Sequence, residues 1–501
     1  MDSTVRHPNP TWPGRQALPA GPVGRQGSSR THLKSRAVDQ DAVCGRRRYR
    51  IPMPLAELQI RKLFGRFDHR IELNQQDHIT ILHGANGVGK TTVLRVIDDF
   101  FHRRLAALRR IPFESIEMRF TSGELLTIVR SEPDDDRPRR SICLEISMKK
   151  GRRKPTEPFI VRAPNSSDAP FPPSAVDEFL PWLEQIGPRE WFDSDTSRVL
   201  DFEDVLDEYS DALPTRPARE SYKRPAWLET LAASPAVHMI ETQRLSAPRR
   251  EVLRQPRRYQ PHREARRGTT AVRLLAEDLA GRIRTALASY AERSQEFDRS
   301  FPNRVLADSR SPSAATDAAI RERYEVQGQS RARLMAAGLL DPGEEVLIRG
   351  DLSETERKVL WTYLGDVDRK LEVLYPIADK IDLFRAILNT KYIGKRVVVH
   401  RQAGFQVLTD DNQLLNPEFL SSGEQHELVL AYRLLFDVEP GSLILIDEPE
   451  LSLHVSWQQM FLPDLERISR TAELDFLIAT HSPTIIGNRW DLTTQLSVES
   501  E

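Results

Sequence analysis

Eight consecutive residues carry the strongest chemical signal in the sequence: Gly84, Ala85, Asn86, Gly87, Val88, Gly89, Lys90 and Thr91. They match the pattern G-x-x-x-x-G-K-[ST], with an apolar strand before it and a helix after it. Such glycines let backbone N–H groups face phosphates, and the helix adds the positive end of its dipole. We expect Lys90 to reach the β- and γ-phosphates of a nucleotide and the Thr91 hydroxyl to bind Mg²⁺. Thr92 belongs to the same predicted nucleotide site.

Two adjacent carboxylates follow a second apolar run, Leu443-Ile444-Leu445-Ile446-Asp447-Glu448-Pro449. A buried strand that ends in two acids places charge at the carboxyl edge of a parallel sheet, where α/β proteins bind ligands. We expect Asp447 to hold the Mg²⁺ shell and Glu448 to act as general base on the attacking water. Adjacent acids after a strand can also form an ordinary turn, and the phosphate-binding loop decides for function.

Two further segments have weaker signals of their own. Leu420-Ser421-Ser422-Gly423-Glu424-Gln425 opens an amphipathic helix, and Ala479-Thr480-His481-Ser482-Pro483 follows a strand. Read alone, the first segment is an N-cap with an acid in the first turn, and a lone histidine after a strand is usually structural.

The order and spacing of these four segments resemble those of ABC-type ATPases. The stretches DEPELSLH and ATHSP resemble the branch that contains SMC-, RecF- and OLD-like ATPases. The resemblance covers residues 53–130 and 395–490 well, and residues 131–394 only in the pattern of an insertion.

The resemblance implies roles for single residues. Ser421 and Gly423 would contact the γ-phosphate of ATP bound to a second copy of the chain, so that two heads enclose two ATP molecules. His481 would sense the γ-phosphate and position water. Gln243, at the end of the strand before the insertion, would couple Mg²⁺ to the insertion, although the segment ETQR can equally be a plain strand end.

Two positions depart from the pattern of transporter subunits. Ser422 stands where those proteins usually have glycine, and His454 stands where an aspartate is usual. Contacts of the transporter kind across a dimer are therefore not assumed. The chain ends about twenty residues after ATHSP, which leads us to expect no C-terminal nuclease domain of the OLD kind.

The elements that must position these residues predict an α/β fold. Apolar strands alternate with helices, which indicates a mostly parallel sheet with helices on both faces, interrupted by a short helical or coiled-coil arm. Two strands are expected between residues 55 and 82 and another at 141–148, while residues 151–235 have poor periodicity. The predicted units are a disordered basic tail (1–52), an N-terminal lobe (53–245), a helical arm with a basic loop (246–394) and a C-terminal lobe (395–501).

The arm is predicted to contain three helices, at 272–290, 316–338 and 353–374. Its third helix has a 4-3-4-3 seam that we expect to be exposed, made by Leu360, Leu364, Val367, Leu371 and Leu374. At 1.5 Å per residue none of these helices should exceed about 40 Å.

Charge and cysteine content limit the environment and the partners. The formal net charge is −1, yet residues 1–50 hold ten basic and three acidic residues. Any nucleic-acid surface must therefore be local, and residues 249–267, with eight arginines and two glutamates, are the candidate. Such a run is also typical of a solvated loop. Two cysteines and the absence of an 18-residue apolar stretch favour a cytoplasmic protein without membrane contact.

The sequence thus predicts an ATP- and Mg²⁺-dependent ATPase that works as a dimeric switch. We expect it to act in DNA repair or antiphage defence with a nuclease or other effector partner, and DNA to contact the Arg249–Arg267 loop. An ATP-gated protein-interaction or toxin-type module without a nucleic-acid role remains open. A transporter subunit is disfavoured by the arm, the arginine run and the segment LSLH.

Overall fold

The structure is a computed structural model. It describes residues 55–131, 142–162, 171–193, 198–209, 224–233, 235–241, 267–308, 315–341, 343, 350–416, 419–451 and 453–496. Within these ranges the strands are β1 (Leu55–Leu63), β2 (Phe67–Glu72), β3 (Ile79–His83), β4 (Ser115–Phe120), β5 (Glu124–Arg130), β6 (Leu144–Lys150), β7 (Phe159–Val161), β8 (Leu183–Gly187), β9 (Glu190–Asp193), β10 (Arg198–Asp201), β11 (Val237–Glu241), β12 (Lys395–His400), β13 (Gly404–Thr409), β14 (Leu414–Leu415), β15 (Leu443–Asp447), β16 (Asp475–Ala479) and β17 (Thr493–Gln495).

The α-helices of the same ranges are α1 (Lys90–Phe101), α2 (Leu105–Arg110), α3 (Val176–Phe179), α4 (Phe202–Glu208), α5 (Ala226–Ala232), α6 (Arg267–Asp308), α7 (Asp317–Ala336), α8 (Glu354–Leu371), α9 (Tyr375–Lys391), α10 (Ser422–Tyr432), α11 (Val455–Ala472) and α12 (Pro483–Ile486). A π-helical turn, Arg433–Asp437, extends α10. Within the described part of the chain, no helix is both long enough and apolar enough to span a bilayer.

Five parallel strands form the central sheet, in the order β11-β15-β16-β3-β17. Successive side chains of a strand point to opposite faces, so Ile444 and Ile446 enter a core shared with α9, α10 and α11. Leu443 and Leu445 enter a second core shared with α1. Coverage of both faces explains why LILID and DFLIA are almost wholly apolar, and the predicted α/β fold is confirmed.

The N-terminal half adds a six-stranded antiparallel sheet, in the order β2-β1-β4-β5-β6-β7. Short turns join β1 to β2 and β4 to β5, and every neighbouring pair of strands in this sheet is antiparallel. The description "mostly parallel" therefore holds for the central sheet alone. Residues 55–82 lie in three strands where two were predicted, because Gly65 makes a tight turn between β1 and β2. The strand predicted at 141–148 runs instead from Leu144 to Lys150.

Residues 171–209 contain a small unit that the sequence did not predict. Strands β8, β9 and β10 form an antiparallel sheet packed on α3 and α4. Trp191 is fully buried at its centre and donates a hydrogen bond from Nε1 to Asp177 Oδ1 at 3.0 Å. Because its strands have only four or five residues, periodicity gave too little signal.

The arm lies in the sequence between β11 and β12, and its first helix is much longer than predicted. Helix α6 has 42 residues, which corresponds to about 63 Å, so the upper limit of about 40 Å was wrong. Its second half is highly polar, and contacts to side chains of α8 hold it: Asp298 pairs with Lys370 at 2.7 Å, and Arg304 pairs with Asp366. Because polar side chains make these contacts, the second half of α6 has no apolar periodicity from which its length could be predicted.

The leucine seam of α8 is buried inside the arm and is not exposed as predicted. Leu364, Val367 and Leu371 are each at most 7% exposed. Leu364 packs with Ile320 of α7, while Val367 and Leu371 join the core that includes residues of α6. The partner of the seam is therefore the chain's own arm.

A buried ion cluster connects the end of the arm to the C-terminal lobe. Lys391, the last residue of α9, pairs with Glu427 of α10 and lies 2.8 Å from Asp464 Oδ2 of α11. The lysine side chain has no exposed surface, and the two acids are at most 9% exposed. Burial raises the pKa of Glu427, and the positive charge of Lys391 opposes that rise.

Candidate functional site

The glycine loop between β3 and α1 follows a path that only glycine allows at three points. Gly84, Gly87 and Gly89 have φ angles of 154°, 84° and 95°. A Cβ atom on Gly84 would lie 2.6 Å from the carbonyl oxygen of Leu496, and one on Gly89 would lie 2.6 Å from Leu63 Cδ2. The loop is thus held between β17 and β1, with α1 beginning directly after it.

Lys90, the first residue of α1, has its ammonium group inside the loop. The residue is 5% exposed, and Nζ donates to the carbonyl oxygens of Gly84 and Ala85 at 2.9 and 3.0 Å. Nζ also lies 3.4 Å from Nδ1 of His481. Two residues of the predicted site that are 391 positions apart are therefore in contact.

The electrostatic environment of Lys90 is divided between burial and negative charge. Burial lowers the pKa of Lys90, and the carboxylates of Glu448, Asp447 and Glu450 partly oppose that change. The net direction is downward. A phosphate group at Nζ would add negative charge and so stabilise the protonated form of Lys90.

Thr91 and Asp447 form the second contact across the site. Thr91 Oγ1 donates to Asp447 Oδ1 at 3.1 Å, linking the start of α1 to the end of β15. A hydroxyl and a carboxylate at this separation are the ligand types that Mg²⁺ uses beside nucleotide phosphates. Among the described residues, no group of three or more His, Cys, Asp or Glu side chains is placed to hold a metal ion. Mg²⁺ at this position would therefore share its ligands between the protein and the nucleotide phosphates.

Glu448 has backbone geometry that is unusual for a non-glycine residue. Its φ angle is 45°, and its N–H donates to the carbonyl oxygen of Ala479 in the neighbouring strand β16 at 2.9 Å. A left-handed conformation at such a residue costs about 1–3 kcal/mol and tends to occur at functional sites. The hydrogen bond fixes Glu448 at the same sheet edge as the glycine loop.

Glu450 is a site residue that the sequence analysis missed. Its carboxylate accepts hydrogen bonds from Thr480 Oγ1 and from the backbone N–H of His481, both at 2.8 Å. Thr480 is fully buried, so the acid connects the turn after β15 to the turn after β16. A third acid in DEPE was the available signal, but spacing alone could not show which loop it contacts.

Ser421 and Gly423 lie at the start of α10, and their described contacts stay in the chain's C-terminal half. Ser421 caps the helix, accepting from the N–H of Glu424 at 3.3 Å, while its own N–H donates to Glu424 Oε2 at 2.8 Å. A Cβ on Gly423 would lie 3.6 Å from Trp457 of α11. The capping interpretation is therefore correct within one chain, and Ser421 remains exposed to solvent.

The remaining predicted positions have simpler environments. Asn86 is exposed and Thr92 is partly buried, whereas Val88 is buried and its carbonyl oxygen lies 2.7 Å from His69 Nε2. His454 is the N-cap of α11, and its Nδ1 accepts a hydrogen bond from the N–H of Ser456 at 3.3 Å. Gln243 and nearly all of the segment 249–267 lie outside the described residues.

These contacts define a class of protein. A glycine loop precedes a helix that begins with lysine and threonine, and β16 separates the strand of this loop from the strand that ends in two acids. Lys90, Thr91, Asp447, Glu448 and His481 meet at the carboxyl edge of one parallel sheet. This is the arrangement of a P-loop ATPase domain.

Comparison with known proteins gives the family. The chain belongs to the family described as "AAA domain, putative AbiEii toxin, Type IV TA system", whose profile matches residues 79–487. The prediction of a P-loop ATPase is therefore confirmed.

One curated protein and several solved structures are also similar. "Retron Ec83 probable ATPase" of Escherichia coli is 34% identical over 149 residues, which are 26% of this chain and 27% of that protein. The chain thus matches about a quarter of that relative's length. An Smc head domain of Pyrococcus furiosus bound to the C-terminal domain of ScpA has 12% identity, 87% and 92% coverage of this chain and of that one, and a TM-score of 0.30. The SMC head domain of Thermotoga maritima has 9% identity, 87% and 91% coverage, and a TM-score of 0.28. Scores this low do not establish a shared fold, so the fold assignment depends on the strand order.

Proposed function

We propose that the protein hydrolyses ATP and works as a nucleotide-controlled dimeric switch. The convergence of Lys90, Thr91, Asp447 and Glu448 at one sheet edge is the observation that carries this proposal. The buried ammonium and the turn of backbone N–H groups suit a triphosphate, and the carboxylates suit the metal and the water that accompany it.

Each group has a defined part in the reaction. Lys90 and the N–H groups of residues 85–91 bind the β- and γ-phosphates, while Thr91 and Asp447 hold Mg²⁺, which would supply positive charge to the transferring phosphoryl group. Glu448 accepts a proton from water as the water oxygen bonds to the γ-phosphorus, and the bond to the β–γ bridging oxygen breaks to give ADP and phosphate. His481, beside Lys90, positions that water.

The second half of the site is proposed to come from another copy of the chain. Ser421 and Gly423 lie at the exposed start of α10, where backbone N–H groups and the helix dipole favour an anion. They would approach the γ-phosphate bound to the partner copy. Gln243 is proposed to contact Mg²⁺ as the chain enters the arm.

For the cellular role we propose antiphage defence or DNA repair with a nuclease or other effector partner. The family description mentions a toxin and a toxin–antitoxin system, and the relative's name mentions a retron. Both favour defence. The toxin description also favours the second candidate, an ATP-gated module that binds proteins only. DNA bound at Arg249–Arg267 would stimulate ATP turnover in the first case and leave it unchanged in the second.

Replacement of Glu448 tests the proposed chemistry. Glu448→Gln should bind ATP, retain little turnover and accumulate as an ATP-bound dimer in size-exclusion chromatography, because the amide cannot accept the proton. Glu145→Gln, an equal change on an exposed residue of β6, is the matched control. Normal turnover by Glu448→Gln would remove Glu448 as the base.

A further inference from the structure

The turn between β6 and β7 carries the densest positive charge of the described chain outside the nucleotide site. Five of the six residues at positions 149–154 are basic: Lys149, Lys150, Arg152, Arg153 and Lys154. All five are exposed. We name this segment the basic hairpin.

Within the described part of the chain, only one of these five cations has an acidic partner. Lys150 pairs with Glu124 at 2.5 Å, and hydrogen bonds from Lys150 and Ser122 lower the pKa of that acid, which keeps it ionised. Among the described residues, no ion pair involves Lys149, Arg152, Arg153 or Lys154. Four cations without an ion pair to another described residue therefore lie within six residues, although like charges so close together repel each other.

The described residues between 55 and 162, which surround the basic hairpin in the sequence, also carry more basic than acidic side chains. Residues 55–131 and 142–162 together hold eighteen lysines and arginines against eleven aspartates and glutamates, while the whole chain has a net charge of −1. A local excess of positive charge attracts polyanions. The predicted N-terminal lobe as a whole, residues 53–245, holds 28 basic and 31 acidic residues, so the positive charge is local to this segment and is densest at the basic hairpin.

The basic hairpin lies away from the ATP site. The N–H of Gly151 donates to the carbonyl oxygen of Gly123 at 3.4 Å, which places the hairpin beside the start of β5. Strand β5 then runs seven residues, about 20 Å, to Arg130, whose N–H donates to the carbonyl oxygen of Glu114. Glu114 lies beside the end of β1, where Leu63 lies against Gly89 of the glycine loop. The four cations consequently lie too far away to bind the phosphates of the hydrolysed ATP.

We propose that the basic hairpin binds the phosphate backbone of a duplex nucleic acid without reading its sequence. The proposal deepens the nucleic-acid role proposed above and depends on it for its biological meaning. Arginine and lysine in an exposed turn suit successive phosphates, since guanidinium groups bind them through paired N–H donors. A membrane is disfavoured because residues 149–156, KKGRRKPT, contain no aromatic residue and no Val, Leu, Ile or Met to enter a bilayer.

The proposal predicts the slope of log affinity against log salt concentration. Each neutralised phosphate contributes about 0.9 to the slope of log affinity against log salt for duplex DNA. Four cations that each neutralise one phosphate account for a slope of about −3.6, and removal of three should reduce its size by about 2.7. At about 50 mM salt the same change should weaken binding by about tenfold or more.

The test compares two triple variants of the full chain that lose equal charge. R152A/R153A/K154A changes the basic hairpin, and R284A/R299A/R331A changes arm residues for which no ion pair is present among the described residues. Fluorescence anisotropy with labelled DNA and RNA duplexes of about 25 base pairs, from about 50 to 200 mM salt, measures the slopes. Thermal unfolding checks both folds, and glutamine at the same hairpin positions provides a second variant.

The proposal expects a smaller slope and weaker binding for the hairpin variant with either duplex, and wild-type behaviour for the arm variant. An unchanged hairpin slope, equal losses in both variants, or wild-type binding to anionic lipid vesicles but to neither duplex would overturn it. ATP turnover of the wild-type chain without nucleic acid is measured separately. Normal turnover with an unchanged slope refutes the basic hairpin alone, and absent turnover with a reduced slope refutes the ATPase proposal alone.

Discussion

Removal of the Glu450 carboxylate is expected to slow ATP hydrolysis about 100-fold with little effect on ATP binding. Glu450 accepts two hydrogen bonds at 2.8 Å, from the Thr480 hydroxyl and from the His481 backbone. Bonds to a charged acceptor contribute about 1.5–3 kcal/mol each, so Glu450→Ala releases the turn that holds His481. A displacement of about 1 Å at a reacting group costs about 100-fold in rate, or about 2.7 kcal/mol of barrier.

The assay is steady-state ATP turnover at varied ATP concentration, with kcat and KM determined separately. Glu450→Gln keeps one acceptor oxygen and should lose only about tenfold in kcat. KM should stay within about threefold for both variants, because Lys90 and Thr91 remain in place. Glu145→Ala is the control for loss of a carboxylate from an exposed position.

A double-mutant cycle separates positioning from general stability. If Glu450 acts through His481, Glu450→Ala should cost little further rate in a His481→Ala background. Additive losses in the double variant, or a kcat of Glu450→Ala within about threefold of wild type, would refute the reasoning.

Two further predictions concern buried lysines. Because burial lowers the pKa of Lys90, ATP affinity should fall as pH rises through a value below that of an ordinary lysine. A Lys90→Arg variant, which stays charged, should bind more weakly but with a flat profile in calorimetry from about pH 7 to 10, and parallel profiles would contradict this. Lys391→Met leaves Glu427 and Asp464 buried without their cation and should lower the free energy of unfolding by about 3–5 kcal/mol in urea. The control Lys62→Met removes a pair with Glu114 whose side chains are 63% and 54% exposed and should cost at most about 1 kcal/mol, and equal losses would show that burial is not the cause.

Local chemistry made the nucleotide site predictable from sequence. Glycines with positive φ, a lysine at the first position of a helix and two acids after an apolar strand are each dictated by residue type and spacing. The contact between Lys90 and His481 and the contact between Thr91 and Asp447 then follow from placing β3, β15 and β16 in one parallel sheet. The roles of the individual residues remain proposals.

Tertiary contacts decided what the sequence could not show. The role of Glu450 depends on a loop thirty residues away, and no spacing rule connects the two. The length of α6 depends on polar pairs with α8 in place of an apolar stripe. The seam of α8 was recognised correctly as apolar, but its partner is chosen by folding of the arm, so exposure was the wrong inference.

The most direct test of the dimeric ATPase mixes two inactive variants. Lys90→Ala removes the lysine that is proposed to bind the phosphates, and Ser421→Arg is designed to block the start of α10. If each ATP site combines Lys90 of one copy with Ser421 of the other, mixed dimers contain one intact site. With random exchange of subunits, the mixture should recover about a quarter of wild-type turnover. A mixture as inactive as its components, with exchange confirmed by labelled subunits, would contradict a site shared between two copies.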